Sequence, residues 1–179
     1  MNTGLIANRY AKALLLYAVE ERVEETIYHE MTNVLNSFRQ LPQIREVLGN
    51  PVTKNVDKVK LMLQMSGDTQ PSKIYERFVH TLIDNNREEL LLECSRQYIE
   101  QYREKKHIYV VRLTTATESD QTTIDRITRL LKDFDRSATV EYEKTIDPDI
   151  IGGFVVQVGY NRVDGSVKRQ LCEIARNLR

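Results

Sequence analysis

Near residues 104–107 the spacing of apolar residues changes from about 3.6 to 2, and one kind of layer cannot satisfy both. Before that point the chain reads as helices. Ile6, Tyr10, Ala13, Leu14 and Tyr17 share one face of a first helix over Gly4 to Glu21, and Ala7, Ala11 and Ala18 thin the strip beside it. Ile27, Met31, Val34, Leu35 and Phe38 repeat the pattern, and Leu41-Pro42 breaks it. A short helix carries Ile44, Val47 and Leu48, and a fourth carries Val52, Val56, Val59 and Leu63. Pro71 suits the first turn of a fifth, with Tyr75, Phe78, Val79 and Leu82 on one face. After a turn at Asp84-Asn85-Asn86-Arg87, a sixth carries Leu91, Cys94, Tyr98 and Tyr102. Short connections between these helices predict a six-helix bundle over 1–106.

Beyond the switch, Ile108 to Thr114 reads as a strand. Ser119 or Asp120 starts a helix whose inner side is Ile124, Ile127, Leu131 and Phe134. Val140, Tyr142 and Ile146 alternate with polar residues in a second strand, and Asp147-Pro148-Asp149 turns the chain. Phe154 to Val158 is a third strand; Gly159 to Arg162 is a tight turn and Val163 to Ser166 a short extended link. A last helix follows, with Val167, Leu171, Ile174 and Leu178 in one stripe. The expected fold class is therefore mixed: a helical bundle, then a small α+β domain of order β-α-β-β-α over 107–179. A domain of this size has a thin core and marginal independent stability, so it is expected to be the more mobile of the two without a partner.

Composition narrows the function. Lys+Arg and Asp+Glu are 26 each, so no basic excess points to nucleic acid. The longest uncharged apolar run, Ala13 to Val19, is far short of the roughly 20 residues that span a bilayer. Arg9 and Lys12 interrupt the apolar start, no small-residue cleavage site follows, and Met1 opens the chain, so no secretory leader is expected. Cys94 and Cys172 are expected to be buried small hydrophobes.

Catalytic, metal and cofactor motifs are missing. Gly152-Gly153 lacks the Lys-Ser/Thr of a phosphate-binding loop. His29, His80 and His107 lie in different elements without a second ligand at metal spacing. Asp147-Pro148-Asp149 lacks the later oxygen ligands of a calcium loop. No serine sits in a nucleophile elbow. The strand at Gly153-Phe154-Val155-Val156 has one aromatic, and Val156 and Val158 share its face, so it reads as core rather than as an RNA-stacking surface.

Two stretches carry a family resemblance. Ile151-Gly152-Gly153-Phe154, Val156, Val158, Gly159 and Val163-Asp164-Gly165-Ser166-Val167, followed by Lys168-Arg169, resemble the C-terminal signature of the delta subunit of bacterial ATP synthase, the oligomycin-sensitivity-conferring protein of mitochondria. Arg9-Tyr10-Ala11-Lys12-Ala13-Leu14, with Tyr17-Ala18, is similar to that family's opening helix. The resemblance covers essentially the whole chain. It implies a non-catalytic stator subunit without cofactors, acting in proton-driven ATP synthesis at the cytoplasmic face of the bacterial inner membrane. It implies one copy per complex and a monomer in isolation. The helical domain is expected to bind alpha subunits at the crown of the catalytic head, and the C-terminal domain the b subunits of the peripheral stalk.

The residues add candidate surfaces. Tyr10, Ala13, Leu14 and Tyr17 on the first helix, and Phe78, Thr81 and Leu82 on the fifth, give an apolar excess suited to a trough for a partner helix. The alternative is that Leu14, Phe78 and Leu82 face inward. Val167, Lys168, Arg169, Leu171 and Ile174, with Arg176 and Arg179 nearby, are candidates for the stalk contact; the alternative is a solvated basic face over a core stripe. Other function classes are a free adaptor using the same bundle, and a small hydrolase or RNA-binding module. The last class lacks both a convergent polar site and a basic face.

Overall fold

Eight α-helices and a four-stranded mixed sheet make up the computed structural model, which describes residues 3–67, 70–117, 121–159 and 161–177. The expected cap at Ser119 or Asp120, together with Leu178, Arg179 and the side chain of Phe134, lies outside the described residues. The chain divides into two units, 1–102 and 103–179.

The first unit contains α1 (Thr3–Glu20), α2 (Glu24–Gln40), α3 (Ile44–Gly49), α4 (Asn55–Gln64) and α5 (Lys73–Asp84). A 3-10 turn, Glu88–Leu90, leads into α6 (Leu91–Lys105). The alanine strip of α1 makes the close contact: Ala7, Ala11 and Ala18 are fully buried, whereas Tyr10 and Tyr17 are half-buried and Ala13 is exposed. Small side chains there let neighbouring backbone approach. Ile27, Met31 and Val34 of α2, Tyr75, Val79 and Leu82 of α5, and Leu91, Cys94 and Tyr98 of α6 complete the core. Burial pushes the Cys94 thiol up to about 12, so it stays protonated and inert. Two core tyrosines satisfy their hydroxyls on backbone: Tyr75 donates to the Met62 carbonyl at 2.7 Å and Tyr98 to the Glu24 carbonyl at 3.0 Å.

Two departures from the sequence reading have physical causes. Helix α4 begins at Asn55, and Val52 and Val56 are exposed; its buried residues are Lys58 and Met62. The Lys58 stem packs inward because its ammonium pairs with Glu88, which a count of apolar positions does not register. Helix α5 begins after Pro71, because Ser72 is its N-cap and accepts from the Tyr75 amide at 3.2 Å. The carboxylate of Glu30, itself 1% exposed, accepts from both the Ser72 amide (2.6 Å) and hydroxyl (2.7 Å). A buried acid on α2 thus fixes where α5 starts.

The second unit runs β1 (Ile108–Thr115), α7 (Gln121–Phe134), β2 (Thr139–Ile146), a 3-10 turn (Pro148–Ile150), β3 (Phe154–Val158), β4 (Asn161–Asp164) and α8 (Val167–Asn177). The sheet order is β2-β1-β3-β4. Strand β1 is parallel to β2 and antiparallel to β3, and β3 is antiparallel to β4. Strand β4 corrects the expected β-α-β-β-α order: the turn and link ending at Asp164 fold back onto β3, pairing Val163 with Val156 and Asp164 with Val155. Val111, Leu113 and Val156 pack against Ile124 of α7, with Ile127, Leu131, Val140, Tyr142, Phe154 and Val158 around them.

The two halves of the glycine-bearing signature meet here. Gly153 has φ +75°, and a Cβ on it would lie 2.3 Å from the Gly165 carbonyl oxygen. The Gly165 amide donates to the Phe154 carbonyl at 2.9 Å, and the Val167 amide to the Gly152 carbonyl at 3.0 Å. These bonds fasten the start of α8 to the turn before β3.

At the start of this unit, Asp135 gathers donors. Ser137 gives its amide (2.9 Å) and hydroxyl (2.6 Å), Tyr109 its hydroxyl (3.2 Å), and His107 Nδ1 lies at 2.7 Å. The Ser137 hydroxyl foremost holds the carboxyl down at about 2. In the unfolded chain it titrates near 3.9, so the unfolded state binds more protons between these values and stability rises with pH there. The Asp135 contribution is expected to be complete above about pH 4 and to fade as pH falls toward 2. Acid titrations of Asp135→Asn and the unaltered chain should therefore converge as pH falls from about 4 toward 2.

Candidate interaction grooves

Six of the seven groove candidates come together. Tyr10, Ala13, Leu14 and Tyr17 of α1 and Phe78 and Thr81 of α5 line one recess of about 450 Å³, joined by Ile74 and Arg77. Leu82 is not among its lining residues: it is fully buried in the core. Leu14 and Phe78 are buried in the core as well, as the inward alternative has it, yet each presents an edge to the recess. The Thr81 hydroxyl donates to the Arg77 carbonyl at 2.8 Å, so its polarity is satisfied within α5. Ile74, Arg77, Phe78 and Thr81 follow the i, i+3, i+4, i+7 rule, a signal that was available in the sequence. Arg77 is exposed, as an arginine on a helix reads by default, and still lines the recess.

Two arginine–tyrosine pairs flank the recess. Arg77 donates to the Tyr17 hydroxyl at 2.8 Å, its guanidinium carbon 5.8 Å from the ring centroid. Arg87 donates to the Tyr10 hydroxyl at 3.2 Å, at 5.6 Å from that ring. The tyrosines are held by their hydroxyls and keep apolar ring surface for a ligand.

A second, unforeseen recess, of about 370 Å³, is lined by Phe38, Arg45, Leu48, Glu89 and Leu92. Its residues come from α2, α3, the 3-10 turn and α6, and no single helical stripe announces it.

In the second unit, Ser166 is buried and caps α8, accepting from the Arg169 amide at 3.2 Å. Val167 is half-buried, but Lys168, Arg169, Leu171 and Ile174 are exposed, Leu171 by 51% and Ile174 by 55%. Arg169 pairs with Glu173 at 2.9 Å. A core stripe under a basic face is thus not what the second unit contains: beyond Val167 the apolar side of α8 is uncovered. Cys172, expected inside, is exposed for the same reason. Among the described residues no three His, Cys, Asp or Glu side chains cluster to hold a metal, and no helix is long and apolar enough to cross a membrane.

A trough between two helices and, in the second unit, an uncovered amphipathic helix are the kind of surface by which proteins of the binding class hold other chains. Comparison with known proteins gives that class its family. Residues 6–178 match the family model described as ATP synthase delta (OSCP) subunit, and the chain belongs to that family. It is 37% identical over 171 residues to the ATP synthase subunit delta of Phocaeicola vulgatus, covering 96% of this chain and 92% of that one. It is 38% identical over 175 residues to the ATP synthase subunit delta of Bacteroides fragilis, covering 97% and 94%. The fold is similar to a chain in the cryo-EM structure of the Toxoplasma gondii mitochondrial ATP synthase hexamer, with TM-score 0.68 at 19% identity and 96% of each chain covered. Members of the family are non-catalytic structural subunits of ATP synthase, in the stator linkage of the peripheral stalk.

Proposed function

We propose that the chain ties the catalytic head of ATP synthase to its peripheral stalk and resists rotor torque during proton-driven synthesis. The first unit, a six-helix bundle, receives the N-terminal segment of an alpha subunit in the trough between α1 and α5. The second unit receives the b subunits along α8, with Val167, Leu171 and Ile174 as apolar anchors and Lys168 and Arg169 beside them. One copy acts per complex at the cytoplasmic face of the inner membrane, bound through protein partners alone.

The observation that carries this reading is the convergence of six side chains, from 10–17 and 78–81, on one apolar recess. An amphipathic helix laid in such a recess buries its apolar face at helical spacing. Holding two parts of one assembly through two units raises the effective concentration at each contact. A nanomolar clamp, about 12 kcal/mol, is within reach of an interface with a few aromatic anchors.

Tyr10 offers the direct test. It is half-buried and its ring faces the recess, so Tyr10→Asp removes an anchor without opening the core. The variant should keep its melting temperature and bind an alpha N-terminal peptide about tenfold or more weakly by calorimetry. Unchanged affinity would take Tyr10 out of the contact. Stoichiometric recovery of the chain with ATP synthase from detergent-solubilised membranes tests the whole assignment.

A further inference from the structure

The recess between α1 and α5 has one cation in its lining, Arg77, and a second, Arg87, on the hydroxyl of its lining Tyr10. Arg77 and Arg87 bond only neutral phenols, on Tyr17 and Tyr10. Neither has an ion pair among the described residues, although Arg103, Arg112 and Arg169 all find carboxylates. A phenol oxygen and a ring face orient a guanidinium while leaving its charge intact. Each guanidinium has five N–H donors, so one bond to a hydroxyl leaves a fork free for a carboxylate.

The spacing is as informative as the charge. Tyr10 and Tyr17 are seven residues apart on α1, two turns or about 10 Å along the axis. We propose that this trough selects an amphipathic helix carrying two carboxylates about two turns apart beside its apolar stripe, with Arg77 and Arg87 receiving them. This rests on the reading of the trough as the docking site for an alpha-subunit segment, and it names the chemistry that segment must present. Two acidic side chains at i and i+7 of the docked helix repeat the spacing of Tyr10 and Tyr17, the tyrosines that hold the two arginines. An apolar helix without them strips water from two guanidinium groups and returns no partner, so it is discriminated against.

Calorimetry of the full chain with a peptide spanning the N-terminal segment of its alpha subunit, at about 50 and 500 mM salt, tests this. Arg77→Gln and Arg87→Gln should each weaken low-salt binding roughly fivefold, and the double variant should lose the salt dependence of the unaltered chain. Arg77→Lys should retain most of that salt dependence, because the charge stays while the fork is lost. Peptides with Asp and Glu replaced by Asn and Gln should reproduce the double variant on the unaltered chain, which keeps the test decisive if Arg87→Gln fails to fold. Binding by the double variant with unaltered affinity and salt slope overturns the proposal and leaves the docking reading standing. No binding by the unaltered chain at either salt overturns both.

Discussion

Gly153→Ala is expected to unfold the second unit well below the melting temperature of the first. The added methyl carbon would sit 2.3 Å from the Gly165 carbonyl oxygen, a backbone atom with no rotamer by which to retreat. Relief requires the two segments to part, which breaks the Gly165–Phe154 and Val167–Gly152 backbone hydrogen bonds that anchor α8. The positive φ adds its own cost to any side chain. Together these effects should reach about 3 kcal/mol or more, a large share of what so small a unit possesses. Gly159→Ala is the control: its φ is +56° but open space surrounds it, so about 1 kcal/mol is expected. Hydrogen exchange at Phe154 to Val158 should speed up strongly in the first variant and little in the second. Equal effects would mean that left-handed backbone, and not the close approach, is what matters at Gly153.

The second large effect is expected at Glu30. Its carboxylate is enclosed and receives the amide and hydroxyl of Ser72 at 2.6 and 2.7 Å. Glu30→Ala leaves both donors unmet and opens a void beside them, for a loss of about 3 kcal/mol. Ser72 caps α5, whose Ile74, Arg77, Phe78 and Thr81 form one wall of the trough. Stability and partner affinity should therefore fall together, although Glu30 is not among the residues lining the trough. Glu30→Gln keeps the shape and an acceptor and should recover part of both. Chemical denaturation paired with peptide calorimetry checks this; a normal denaturation midpoint in Glu30→Ala would refute it.

What sequence reading could reach depended on whether a feature is local. The change of apolar period near residue 107 marked out helices before it and strands after it, because periodicity is a property of neighbours along the chain. The trough was legible for a related reason: α1 carries two apolar strips, and once alanines supply the closest packing the tyrosine stripe is left over for something else. Strand β4 was missed because Asn161 and Asp164 have turn-forming side chains, and only pairing with β3 makes the segment a strand. The inward Lys58 depends on Glu88, thirty residues away. Leu82 and Leu171 show the limit from opposite sides. Each is a leucine on an amphipathic helix, yet one is fully buried and the other half in water, and that difference is set by what packs over each helix.

The register of the sheet decides how the second unit meets a pulling force. The chain enters at Ile108, the first residue of β1, and leaves the sheet at Asp164, the last residue of β4. Asp164 is level with Val155, and Val155 with Thr114 near the far end of β1, so entry and exit lie at opposite ends of the strands. Tension between them slides strands lengthwise and strains many hydrogen bonds at once, instead of peeling them off one by one. Shear loading of this kind is the stiffest way to pull on a sheet, and it suits the tethering role proposed above.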